Sequence, residues 1–263
     1  MGRTVIAPRR PTRIISLVPS QTELLFDLGL EAEIVGRTKF CIHPAAKVAQ
    51  KQSVGGTKQF RFEVIDRLQP DLIIGNKEEN YQEGIERLAA KYPVWMSDIT
   101  TLADALDMIR RVGRLVDREE RAERLAAEID MKFAQLPVLS RPYRVGYFIW
   151  QKPFMVAGGQ TFIHDMLTRC GLVNVFAAGE YGRYPELTAE QIHAANLDAI
   201  LLSSEPFPFA EKHRQAFQEQ FASTARSHFG FAVYLVNGEM FSWYGSRLLL
   251  AADYLHKFID LLT

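Results

Sequence analysis

Residues Glu63–Glu78 read "EVIDRLQPDLIIGNKE", and residues Glu190–Glu205 read "EQIHAANLDAILLSSE". Each is a short amphipathic helix, a breaker, an Asp that opens a brief apolar run, and an acidic polar end. Laid over one another at a constant offset of 127 positions, Ile65 meets Ile192, Asp71 meets Asp198 and Glu78 meets Glu205. The apolar runs are too short for helices and are bounded by turn residues, so they read as buried strands. A helix–strand unit written twice predicts two copies of one α/β lobe.

A second echo lies outside the first. "PSQTELLFDLGL" (Pro19–Leu30) returns as "GGQTFIHDMLTRCGL" (Gly158–Leu172), with the Gln-Thr pair offset by 139 positions. The difference between the two offsets predicts an insertion in the first half, around "TKFCIHPAAKVA". In that half, strands are predicted over Arg13–Val18, Glu33–Gly36, Asp71–Gly75 and Pro93–Met96. Helices are predicted over Glu23–Leu28, capped by Ser20 or Thr22 and ended by Gly29, and over Phe62–Leu68 and Tyr81–Lys91. In the other half, strands fall at Tyr143–Trp150, Asp198–Ser204 and Ala232–Asn237. Helices there fall at Thr161–Cys170, Ala189–Ala195, Glu211–Ala222 and Ser246–Leu262.

Between the halves the strand signal stops. A helix over Leu102 to about Val116 precedes a longer one from about Arg118 to Leu136, with Asp117 as its cap. Ala122, Leu125, Ala126, Ile129, Phe133 and Leu136 recur at helical spacing as one apolar stripe. The expected fold class is therefore α/β: two Rossmann-like lobes with mostly parallel sheets, bridged by a single long helix. The expected divisions are residues 1–100, a helical linker over 101–140, and residues 141–263.

Composition narrows the function. Thirty-one basic and 31 acidic residues give a formal net charge of zero, so no global field selects nucleic acid or an anionic membrane. Cys41 and Cys170 have no metal-ligand spacing and read as small core thiols, with a disulfide between them as the alternative. No run approaches the ~18 apolar residues of a membrane span. The N-terminal stretch has no apolar signal core, so the expectation is either a cytoplasmic chain or an exported one supplied without its leader. No GxSxG, HExxH, Walker loop or GxGxxG occurs, which argues for a binding protein rather than an enzyme. His43, His164, His193, His213, His228 and His256 are scattered singly, so no direct metal site is expected. His43, in the insertion, is the one candidate axial ligand.

Two facing parallel sheets would offer a cleft at the carboxyl ends of their strands. Here "VPSQT" and "VAGGQT" would bring backbone N–H groups and helix N-termini to a ligand. With these residues in hand the chain resembles the periplasmic-binding proteins with a single helical backbone, which serve ABC importers for vitamin B12, siderophores and haem. The resemblance rests on "GRTVIAPRRPTRIISLVPSQTELLFDLGL", "VGGTKQFRFEVIDRLQPDLIIGNKEEN", "GGQTFIHDMLTRCGLVNVF" and "LTAEQIHAANLDAILLSSEPF". "LVPSQTELLFDLGL" and "TAEQI" are most similar to its cobalamin-binding branch.

The resemblance implies a substrate-binding protein with no intrinsic cofactor. Its ligand would be cobalamin or another metal chelate, and its partners the permease subunits of an importer. It would be a monomer, periplasmic or at the cell surface. The alternatives are a ferric-siderophore or haem receptor, or a leaderless cytoplasmic corrinoid carrier or sensor. A large ring ligand needs aromatics and small polar groups. The candidates are Ser20, Gln21, Phe40, Trp150, Phe154, Tyr184, Trp243 and Tyr244, with at least one of the last two facing the ligand. Arg247 is expected either on a ligand carboxamide or carboxylate, or in a salt bridge. The family's permease-docking glutamates map to Glu83 and to either Glu205 or Glu211, with Glu78 and Glu79 as local alternatives.

Overall fold

The computed structural model describes residues 4–221 and 232–262, so Ala222 and His228 lie outside the described residues. The chain divides into two compact units. One gathers the chain up to Ile99, Ala103–Met131 and Trp243–Leu248; the other gathers Thr100–Leu102, Lys132–Ser242 and the chain from Leu249 on.

In the first unit β1 (Ile14–Ser16) leads through α1 (Pro19–Asp27) to β2 (Ile34–Arg37), α2 (Ala45–Val48) and β3 (Gln52–Ser53). The hairpin of β4 (Gly55–Gly56) and β5 (Gln59–Phe60) follows, then α3 (Phe62–Leu68), β6 (Leu72–Asn76), α4 (Gln82–Ala89) and β7 (Val94–Ser97). The sheet runs β3-β2-β1-β6-β7, with every pairing parallel. All of β6 is buried, as expected of a central strand covered on both faces. Ile15, Leu17, Val64, Ile65, Ile73 and Leu88 form the core beneath α3 and α4.

Helix α1 starts earlier than its sequence suggests. Pro19 takes the first helical position behind Val18, and neither Ser20 nor Thr22 caps it. The Thr22 hydroxyl instead lies 2.9 Å from the Val18 carbonyl, 2.7 Å from Ser16 Oγ and 3.0 Å from Cys41 Sγ. Gly29, at φ +82°, ends the helix as predicted.

Helices α5 (Leu102–Leu115) and α6 (Glu119–Ala134) carry the chain from the first sheet to the second. Ala122, Ala126, Ile129 and Phe133 are buried and Leu125 half-buried, so the predicted stripe is the packed face of α6, while Leu136, also half-buried, lies beyond the end of the helix. A side chain on Gly113 of α5 would meet Ala122 Cβ at 2.2 Å, so the two helices touch there almost backbone to backbone. Asp117 does not cap α6. It turns the chain at φ +56°, and its carboxylate pairs with Arg10.

In the second unit β8 (Tyr143–Trp150) is followed by β9 (Phe154–Val156), α7 (Phe162–Arg169) and β10 (Leu172–Asn174). Then come β11 (Glu186–Leu187), α8 (Ala189–Ala194), β12 (Ala199–Ser203), α9 (Glu211–Phe221), β13 (Ala232–Val236), α10 (Glu239–Ser242) and α11 (Leu248–Asp260). The order is β11-β9-β8-β12-β13, with β10 also on β8. Strands β8, β10, β12 and β13 pair in parallel, while β9 and β11 add an antiparallel edge. The core is rich in phenylalanine: Phe148, Phe176, Phe217 and Phe221 surround Ile200 and Leu202.

The duplication holds in detail. The run β1-α1-β2 returns as β8-α7-β10, and α3-β6 returns as α8-β12. Asp71 accepts from the Arg13 amide at 2.9 Å, and Asp198 from the Arg144 amide at 2.8 Å. The two arginines then reach the last carbonyls of the preceding helix, Arg13 to Leu68 at 2.7 Å and Arg144 to Ala195 at 3.0 Å. The second half differs by the strand β9, inserted before α7. The Gln-Thr echo also falls out of helical register: Thr22 lies inside α1, whereas Thr161 caps α7 by accepting from His164 N at 3.1 Å.

Candidate functional site

Loops at the carboxyl ends of parallel strands are where such sheets meet ligands. In the first unit these ends are tied by side-chain amides. Gln21 Nε2 donates to Ser97 Oγ at 2.6 Å, and Asn76 Nδ2 donates to the same oxygen at 3.0 Å. Asn76 Oδ1 accepts from the amides of Glu78 and Glu79. Asn80 Nδ2 reaches the carbonyls of Leu17 and Thr57. Ser20 and Gln21 are both buried, and among the described residues Gln21 Oε1 has no hydrogen-bond partner. Asn76, Asn80 and Ser97 escaped the sequence reading; the signal was the Asn pair four positions apart after a strand, in "GNKEEN".

The loop after β2 alternates. Phe40 is 50% exposed and Ile42 47%, while Cys41 between them is buried with its sulfur 3.0 Å from Thr22 Oγ1 and 3.2 Å from Thr38 Oγ1. Burial pushes the Cys41 thiol above its ordinary range. The Lys39 amide donates to the Gly55 carbonyl at 2.8 Å, anchoring the loop on the β4–β5 hairpin. Lys39 Nζ lies 5.0 Å from the Phe40 ring centroid.

The segment Trp243–Leu248 belongs to this unit although it comes late in the chain. Gly245, at φ +129°, lets it turn against α1, where any Cβ would sit 2.9 Å from the Ser20 carbonyl. Trp243 meets the His43 ring edge-on at 5.5 Å, and the Arg247 guanidinium stands 5.4 Å from the indole. Trp243 and Tyr244 are both buried, so adjacency did not force either ring to the surface. Arg247 makes the salt bridge, to Glu23 of α1. Burial raises the Glu23 pKa, and Arg247 opposes that rise. No group of three or more His, Cys, Asp or Glu that could hold a metal ion occurs among the described residues.

In the second unit Trp150 ends β8, 40% exposed, with Nε1 donating to the Lys152 carbonyl and its ring edge-on to Phe207 at 5.4 Å. Tyr184, 37% exposed, precedes β11. Phe154 is half-buried, with edge contacts to Phe148 and Phe217 that commit it to the core. Glu205 accepts from Ser242 Oγ at 2.6 Å and is half-buried. Glu211 is exposed in the first turn of α9, with Arg214 Nε on its carboxylate at 2.9 Å. Glu83 is exposed in the first turn of α4. Helices α4 and α9 follow the equivalent strands β6 and β12, so these two carboxylates hold the same topological place in their own units.

Exposed rings thus stand on the loops after β2 and β8, at Phe40 and Trp150. Comparison with known proteins identifies the family and the fold. The chain is 26% identical over 252 residues to a vitamin B12-binding protein of Pectobacterium atrosepticum, covering 92% of this chain and 86% of that one. The periplasmic vitamin B12 binding protein BtuF of Vibrio cholerae superposes with a TM-score of 0.77 at 21% identity, covering 97% of this chain and 98% of that one. The periplasmic heme-binding protein RhuT of Roseiflexus sp. RS-1 superposes with a TM-score of 0.79 at 22% identity, covering 95% and 99%. The periplasmic binding protein family model matches residues 14–227, which takes in both repeated halves, and this chain belongs to that family.

Proposed function

We propose that this chain is the substrate-binding protein of an ABC-type importer, which captures a corrinoid or another metal-chelate ligand and hands it to a membrane permease. The observation that carries the reading is the half-exposure of Phe40 and Trp150, each at the carboxyl end of a parallel strand in its own unit. An aromatic ring kept in water has lost its hydrophobic stabilisation, and a flat macrocycle restores it. Tyr184 is a further ring contact. Ser20 and Gln21 bring the N-terminal turn of α1, and Trp243, Tyr244 and Arg247 back it from behind. Glu83 and Glu211 are the permease-docking carboxylates; Glu211 is preferred to Glu205 because it is exposed, whereas Glu205 is half-buried. In this reading the protein acts in the periplasm or at the cell surface, as a monomer, and membership of the periplasmic binding protein family supports the location. No helix among the described residues is long and apolar enough to cross a membrane.

The test is direct. The purified protein is incubated separately with cyanocobalamin, hemin and the ferric hydroxamate ferrichrome, desalted, and its absorption spectrum recorded. One chromophore should elute with the protein. If all three are removed by desalting, the reading is overturned.

A further inference from the structure

Lys39 differs from three other lysines of its unit. Lys47 pairs with Glu31 at 2.5 Å, Lys77 with Asp98 at 2.8 Å, and Lys91 with Asp66 at 2.9 Å. Among the described residues no carboxylate lies within ion-pair distance of Lys39; its ammonium has only the Phe40 ring beside it. The loop is nevertheless well held, by the Lys39 amide on Gly55 and by the buried Cys41 next to Phe40. Gly56 of the hairpin lies under both side chains: a Cβ there would be 3.5 Å from Phe40 Cε2 and 3.6 Å from Lys39 Cε. Lys58, two residues on, is exposed and sets its ammonium on the Glu78 backbone carbonyl at 2.6 Å, adding a second positive charge at this edge. The acids nearby, Glu78 and Glu79, sit on the β6–α4 loop with their backbone amides bound by Asn76.

A fixed ring with an uncompensated cation over it, 5.0 Å from its centroid, matches a ligand that joins an apolar ring to an anionic rim group. We infer that Lys39 and Phe40 together recognise a flat apolar ring system that carries an anionic group on its rim, with Lys39 as the specificity-determining residue. The inference rests on the proposed binding role and deepens it. Phe40 takes the ring face, and Lys39 takes a carboxylate at the periphery, where it can choose between rims of equal shape and different charge. A rim of neutral carboxamides gains nothing from the ammonium beyond one ordinary hydrogen bond.

The experiment compares wild type, Lys39→Ala, Lys39→Arg and Phe40→Leu for binding of hemin, hemin dimethyl ester, cyanocobalamin and ferrichrome by fluorescence quenching. Hemin should bind wild type. Lys39→Ala should weaken hemin by about fivefold, as a solvent-facing ion pair allows. Lys39→Arg should keep the affinity. Esterifying the carboxylates should weaken binding to wild type by a similar factor and leave Lys39→Ala with no further loss, whereas Phe40→Leu should weaken acid and ester alike. Equal hemin affinity in wild type and Lys39→Ala overturns the inference. Binding of cyanocobalamin or ferrichrome without hemin also overturns it, while leaving the import reading in place. Failure of all four probes overturns both.

Discussion

Arg247 closes a two-point ion pair with Glu23, 224 positions earlier: Nε to Oε2 at 2.9 Å and Nη2 to Oε1 at 2.5 Å. The side chains are only 8% and 12% exposed, so each charge depends on the other. Arg247→Met strands a buried carboxylate and should cost about 3–5 kcal/mol, whereas Glu23→Leu with Arg247→Met should recover part of that loss. The pH dependence follows from Glu23, whose folded pKa burial holds above its ordinary value of 4.5. As pH rises from there the unfolded carboxyl ionises first, so the unfolded state gains and stability falls through the raised folded pKa. The Arg247→Met loss should accordingly be greatest near neutral pH and shrink in acid. Thermal melts across pH 4–8 check it, and a loss independent of pH would refute the assignment.

The twin aspartates are a second test. Asp198 is buried beneath the Arg144 amide, and Asp198→Ala leaves that donor without its partner, at about 1–3 kcal/mol. Asp71 serves the amides of Thr12 and Arg13 where water can replace it, so Asp71→Ala should cost less. Urea denaturation of the two variants should rank them in that order.

His213 makes a local acid-sensitive cap. Its Nδ1 accepts from the Ala210 amide at 2.9 Å, and its ring stands edge-on to Phe207 and Phe209. Desolvation and then the charge of Lys212 lower its pKa from the ordinary 6.5. A depressed folded pKa means the interaction is present above 6.5 and is lost as pH falls through the folded value. An NMR titration should place the His213 midpoint below 6.5, with the Ala210 amide shifting in step. A midpoint at or above 6.5 would show that the cap does not form.

For the ligand, Phe40→Ala and Trp150→Ala should each weaken binding by about 1–3 kcal/mol, roughly tenfold to a hundredfold. Both rings are half-exposed, so melting temperatures should change little. Unchanged affinity in both variants would remove these loops from the site.

Glu83→Ala combined with Glu211→Ala should leave folding and ligand affinity intact, since both side chains are exposed. Uptake through a cognate permease should be abolished, because a desolvated Arg–carboxylate contact at a partner is far stronger than the same carboxylate in water. Uptake at the wild-type rate would rule out this docking surface.

The sequence is most legible where periodicity and breakers agree. Phe62–Leu68 and Tyr143–Trp150 match their expected spans, and Leu102–Leu115 and Glu119–Ala134 each fall within a few residues. The two- and three-residue strands β3, β9 and β11 were not legible, because their pairing comes from tertiary neighbours rather than from any alternation of their own. The caps of α1 and α6 were misjudged for a related reason: Pro19 and the left-handed Asp117 set the backbone before any side chain could cap it. For the candidate site, residue type was readable and burial was not. Nothing in "MFSWYGSR" announces that Trp243 and Arg247 turn back onto α1, because their partners His43 and Glu23 lie some 200 or more positions away.

That return has a consequence for synthesis. The chain leaves the ribosome N-terminus first, so the sheet of the first unit is complete once β7 has emerged. Its buried Glu23 still has no counter-charge, and His43 still lacks Trp243, until residues 243–248 of the 263 are made. The half translated first thus stays incomplete until nearly the whole chain has been made, and a stop codon placed anywhere before Trp243 damages the beginning of the protein as well as its end.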